Sequence, residues 1–87
     1  MEKPFSEPCE RNKEPILAIL RELFTLPAHI LEIGSGTGQH AVHFSAALPH
    51  VVWQTSDLPI NHAGIRAWLD EAALPNVLAP IALDVNG

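Results

Sequence analysis

The sequence predicts an α/β domain with a parallel sheet. Three observations predict it: three short apolar runs that read as strands, two helical stretches of about ten residues between them, and a glycine-rich turn after the first strand. Strands alternating with helices in this way wind through right-handed β-α-β crossovers.

Taken in order, the first 14 residues hold Pro4, Pro8 and many charges without a helical period, so they read as an N-terminal arm or loop. Pro15 is expected to open a helix, because proline is tolerated in a first turn and Ile16, Leu20, Leu23 and Phe24 then make one apolar stripe that Pro27 ends. Residues 15–87 read as a partial domain, cut short after a third strand. Ala28 to Ile33 is short, apolar and bounded by Pro27 and Gly34, as expected of a first strand buried on both faces. Gln39 to Leu48 follows as a helix with no breaker before Pro49, and Val51 to Ser56 as a second strand. Between Asn61 and Ala73 the apolar positions Ile65, Trp68, Leu69 and Ala72 keep the helical period, with Asn61 placed to cap. Pro75-Asn76 breaks this helix, and Val77 to Leu83 reads as a third strand. Pro80 cannot donate to a strand ladder, so that strand belongs at an edge and the order is 3-2-1.

Composition narrows the function. Apolar residues make up 47% of the 87 residues and charged residues 17%, the balance of a folded domain rather than a disordered chain. A net charge of −5 with no Lys/Arg cluster argues against nucleic acid binding through this segment. Cys9 is the single cysteine, which rules out an internal disulfide, and a cytoplasmic protein is the expectation. The start lacks the apolar run of a signal peptide, and no stretch is long and apolar enough to suggest a membrane span.

The segment Glu32-Ile33-Gly34-Ser35-Gly36-Thr37-Gly38 carries the chemistry. A strand entering alternating glycines and then a helix lets the backbone approach a ligand, while the helix N-terminus offers free N–H groups to a carboxylate or phosphate. The dinucleotide fingerprint would need its third glycine at position 39, which is Gln39, and no Gly-Lys-Ser/Thr follows to make a phosphate loop. Asp57 falls at the carboxyl end of the second strand, 19 residues after Gly38, where doubly wound folds place an acid on ribose hydroxyls. Asp84 holds the equivalent place after the third strand. All three features converge on one rim of the sheet, where open α/β folds bind ligands.

Leu31 to Gly38 resembles the first motif of class I methyltransferases, a Rossmann-like family. The resemblance implies S-adenosylmethionine as cofactor, with Glu32, Gly34, Ser35 and Gly36 lining its methionine end and Gly38 in the same loop. It also implies Asp57 on the ribose and Asp84 beside the adenine amino group. The wider pattern, Arg11-Asn12-Lys13-Glu14-Pro15-Ile16-Leu17 ahead of His29 to His40, resembles the methyltransferase-like 26 group, a domain-of-unknown-function family, over nearly the whole chain. No acceptor and no catalytic base are implied, and Arg11 and Asn12 are candidates to fold over the cofactor site. Class I methyltransferases resemble a seven-stranded sheet in the order 3-2-1-4-5-7-6, so this chain corresponds to its N-terminal half. Cofactor binding is expected of it, and methyl transfer by these residues alone is not.

Each feature also has a plainer reading. The glycine loop is compatible with an ordinary strand-to-helix turn, Asp57 and Asp84 with helix caps or solvated acids, and Glu32 with a structural bond to backbone amides. Trp53 and Trp68 fit core positions better than an adenine stack. Arg11 reads as a surface partner of Glu10. His40 and His43 share a helix face, but no carboxylate or cysteine stands at ligand spacing, and no metal site is expected. Two other functions compete with the methyltransferase reading: an interaction module that self-associates through the open edge of the first strand, and a nucleotide-binding oxidoreductase, which Gln39 disfavours.

Overall fold

The computed structural model describes residues 3–83, and Asp84 falls outside them. The chain runs α1 (Glu7–Leu23), β1 (Ala28–Leu31), α2 (Gln39–Ala47), β2 (Val51–Asp57), a 3-10 turn (Pro59–Asn61), α3 (His62–Ala72) and β3 (Val77–Ala82). The strands form one parallel sheet in the order β1-β2-β3, so β3 lies at an edge as expected. It is an α/β architecture consistent with part of a Rossmann-like fold.

Register runs unbroken from Ala28↔Val51 to Leu31↔Gln54. Between β2 and β3 it slips after Gln54↔Leu78 and resumes at Ser56↔Ile81, which leaves Thr55 opposite two residues, Ala79 and Pro80. The slip is a bulge, one of the few places that tolerate a proline, and it accounts for the proline within this strand. Side chains patch the interrupted ladder: Thr55 Oγ1 donates to the Leu78 carbonyl at 2.8 Å and Gln54 Nε2 to that of Ala79 at 2.8 Å.

The first strand is buried on one face only, against expectation. Its burial alternates, with His29 and Leu31 exposed and Ala28 and Ile30 half-buried. The strand order explains this. Two successive right-handed crossovers stepping the same way across the sheet put α2 and α3 on the same face. Under those helices lies the core of Leu17, Ala41, Phe44, Leu48, Val51 and Trp53, with Ile65 and Leu69 buried alongside.

The N-terminal arm is shorter than the composition suggested. Helix α1 starts at Glu7, and Pro15 sits inside it rather than opening it. The start signal was Ser6, whose hydroxyl accepts from the Cys9 N–H, followed by Pro8 in the first turn and by Glu7 and Glu10, which complement the positive end of the helix. The internal proline removes one bond, to the carbonyl of Arg11, and both residues lie on the exposed side where water can replace it. Arg11 does not pair with Glu10, because adjacent residues on a helix point apart, and Lys13 three positions on does so instead.

Asn76, read from sequence only as part of a helix breaker, is a buried clasp. Its side-chain amide faces the carbonyls of Ser45 (2.9 Å), Leu48 (3.1 Å) and Val51 (2.8 Å), while its own carbonyl accepts from the Trp53 N–H at 2.8 Å. The end of α2 and the entry to β2 are thereby fixed to the start of β3. Among the described residues no helix is long and apolar enough to cross a membrane.

Candidate functional site

The glycine loop leaves β1 as a bridge onto β2. The Glu32 N–H donates to the Gln54 carbonyl at 2.9 Å and its carbonyl accepts from Ser56 Oγ at 2.5 Å. Ser35, 7% exposed, then turns inward: its N–H donates to the Ser56 carbonyl at 2.8 Å and its Oγ accepts from the Ser56 N–H at 3.0 Å. The hydroxyl of Ser35 is thus committed to β2.

The glycines divide into two kinds. Gly34 and Gly36 have φ of +73° and +62°, and a Cβ on either would meet nothing within 4 Å among the described residues. They are required by backbone conformation, and the space a side chain would take is open. Gly38, at φ +94°, is buried, and a Cβ there would stand 3.2 Å from Ile65 Cα and 3.3 Å from Trp68 Cβ. Its role in this chain is to let the start of α2 approach α3. It lies at the base of the loop rather than on its open side.

Asp57 closes the loop from β2. One carboxylate oxygen accepts from the Gly36 N–H at 2.8 Å, and the other accepts from the Leu58 N–H at 2.7 Å and from Asn61 Nδ2 at 3.0 Å. Partial burial pushes the carboxyl up. The bonds from Asn61, Gly36 and Leu58, with His62 nearby, outweigh that and hold it below its ordinary value. Asn61 stands before α3 as expected but caps nothing; its side chain serves Asp57 instead. Asp57 therefore does more than the solvated acid of the plainer reading, since it ties the glycine loop to the turn that starts α3.

Glu32 differs. Its Oε1 is buried without a hydrogen-bond partner among the described residues, so the structural bond to backbone amides is not made by that atom. A buried carboxylate oxygen that finds no partner among the described residues is costly.

Beside the loop lies an open cleft of about 460 Å³, lined by Lys3, Pro4, Gly36, Thr37, Ile60, Asn61 and Gly64, within the range of about 300–1,000 Å³ common to small-molecule sites. Ile60, 86% exposed, gives this cleft an apolar wall three residues after Asp57. Arg11 and Asn12, the residues considered for closing over the site, lie exposed on α1 and do not line it. Lys3 and Pro4 line it instead. Sequence reasoning passed over them because an arm rich in proline and charge carries no motif.

Trp53 is core, 5% exposed, as expected. Trp68 is only half-buried, and its indole N–H donates to the Pro4 carbonyl at 2.5 Å. His40 uses its ring nitrogen as donor to the Cys9 carbonyl at 3.1 Å, and His43 lies 3.3 Å from a Glu14 oxygen, so both histidines face α1. Among the described residues no group of three or more possible metal ligands gathers.

A protein-family model described as "Protein of unknown function (DUF938)" matches residues 3–87.

Proposed function

The chain belongs to the DUF938 family, whose description names no activity, and we propose that it is the S-adenosylmethionine-binding portion of a methyltransferase. The observation that carries this reading is the pairing of a glycine loop with a bare acid: among the described residues, Gly34 and Gly36 at positive φ have free space at their Cβ positions, and Glu32 Oε1 is buried without a partner two residues before Gly34. A ligand ammonium group would satisfy that oxygen, and the methionine end of the cofactor has one. Its carboxylate suits the donors of a helix N-terminus.

The other groups fit the remaining parts of the same molecule. Asp57, held ionised by its donors, is an acceptor for ribose hydroxyls, and the exposed Ile60 offers an apolar surface to a flat base. Asp84, outside the described residues, keeps the role the resemblance implies for it, at the adenine amino group. When bound, the sulfonium supplies an already activated methyl group, so the chain's own residues need only bind, orient and exclude water. The spacing that puts Gln39 where a dinucleotide site needs glycine weighs against the oxidoreductase alternative.

Titration with S-adenosylhomocysteine, followed by amide NMR, tests the reading. Saturable shifts at Gly34, Gly36 and Thr37 are expected; unmoved loop amides in a folded chain refute it.

A second reading, of an interaction module that pairs with another copy of itself, is favoured by Leu31 at the end of β1, an edge strand among the described residues, and by Ile33 just beyond it, which are 52% and 60% exposed. Mass measured by light scattering separates the two: a monomer at high concentration removes this second reading and leaves the first untouched.

A further inference from the structure

Residues 3–6 cross α3 as a strap fastened at both ends. At its first end Lys3 Nζ lies 2.9 Å from a Glu71 carboxylate oxygen and 3.8 Å from the centre of the Trp68 ring. The Trp68 indole N–H holds the Pro4 carbonyl, and the Pro4 ring sits so close to Gly64 that a Cβ there would lie 2.8 Å from Pro4 Cγ. At its other end the strap meets Gln39. The Gln39 side-chain oxygen accepts from the Ser6 N–H and its Nε2 donates to the Ser6 carbonyl at 3.3 Å.

Gln39 also faces the loop. The same side-chain oxygen accepts from the Thr37 hydroxyl at 3.0 Å, and the Gln39 N–H donates back to Thr37 Oγ1 at 3.2 Å. With 5% exposure, this amide is a buried junction between Thr37, which lines the cleft, and Ser6, which ends the strap and caps α1. A surface glutamine would not meet both.

We propose that Gln39 is a positioning residue that seats the strap Lys3–Ser6 as a wall of the glycine-loop cleft and couples that seating to the loop. The residue that breaks the dinucleotide fingerprint thus has a task of its own. A side chain with both a donor and an acceptor is needed, because it must serve both backbone groups of Ser6. The strap wall is defined by the fold alone, while its effect on affinity rests on the S-adenosylmethionine reading.

Hydrogen exchange and calorimetry with S-adenosylhomocysteine, run on the wild type, Gln39→Ala, Gln39→Glu and Trp68→Phe, test the proposal. A net hydrogen bond of about 1 kcal/mol corresponds to several-fold in an opening equilibrium, so losing both bonds to Ser6 should speed exchange of the Ser6 amide about tenfold or more. Amides of β2 should keep their wild-type protection in Gln39→Ala, which shows that the fold is intact. Gln39→Glu, which keeps the acceptor but loses the donor, should fall between wild type and Gln39→Ala. Trp68→Phe frees the Pro4 carbonyl while leaving the Gln39 side chain in place, and it should loosen the strap and weaken the ligand several-fold.

Unchanged exchange at Ser6 in Gln39→Ala overturns the latch. A loosened strap in Gln39→Ala and Trp68→Phe with wild-type affinity overturns its role as a wall. Failure of the wild type to bind S-adenosylhomocysteine overturns the cofactor reading, and exchange at Ser6 then decides the latch by itself.

Discussion

Ser35 and Ser56 hold each other through two hydrogen bonds, the Ser35 N–H to the Ser56 carbonyl at 2.8 Å and the Ser56 N–H to the Ser35 hydroxyl at 3.0 Å. The glycine loop is stitched to the middle strand before it reaches its open part. Ser56 is fully buried, so Ser35→Ala leaves its N–H without an acceptor at a cost of about 1–3 kcal/mol. In a domain of this size that lowers the melting temperature by roughly 4 °C or more. Thermal unfolding followed by circular dichroism measures it, and a melting temperature within a degree of wild type refutes the assignment.

Gly36 and Gly38 should respond differently to the same change. Gly38→Ala adds a Cβ against Ile65 and Trp68 at a positive φ, and should cost about 2 kcal/mol or more of stability through strain and overpacking. Gly36→Ala meets no atom of the described residues, so its stability loss is limited to the left-handed backbone, about 1 kcal/mol. Its methyl group enters the open space of the loop, and ligand affinity should fall at least tenfold. Paired melting and binding measurements on the two variants check this division.

Asp57 sets a pH dependence. Its folded carboxyl titrates below the ordinary value near 3.8 because Asn61, Gly36 and Leu58 donate to the ionised form. Protons therefore bind the unfolded chain first as pH falls. The stability Asp57 contributes is complete above that ordinary value and is lost as pH drops through the folded one. Urea unfolding between pH 5 and 3 should show the wild type losing more stability than Asp57→Asn, with most of the difference below the ordinary value. Parallel curves for the two proteins over that range contradict the assignment.

Much of this was legible in the sequence because the signals were local. Strand order followed from Pro80, an edge marker, and the loop from glycines whose positive φ leaves few alternatives. Pro15 resembles a helix start because Ser6, the true cap of α1, stands among charges and prolines that mimic a loop. By its helical spacing Trp68 fits a core position. Its indole N–H instead finds a carbonyl 64 residues away, a pairing no local pattern encodes. Gly38 and Gln39 sit side by side in the motif, yet one is there for helix packing and the other for the strap. Only the tertiary arrangement separates them.

Glu32 should separate stability from binding. Replacing its carboxylate by the neutral amide in Glu32→Gln removes the charge from a group with one buried oxygen that has no partner among the described residues, so the free protein should unfold at the same or a higher temperature. Affinity for a ligand ammonium should fall about tenfold or more, as expected for a charge-assisted bond of about 1.5–3 kcal/mol. A variant both less stable and equally able to bind contradicts the role assigned to this acid.

The most direct measurement is isothermal titration of S-adenosylhomocysteine into the folded wild-type chain, with Glu32→Gln as its partner. Saturable heat at one site per chain, reduced or abolished in the variant, is the expected result. A chain that keeps its helical spectrum yet gives no heat up to ~1 mM ligand, a free energy of about −4 kcal/mol, contradicts cofactor binding at the glycine loop.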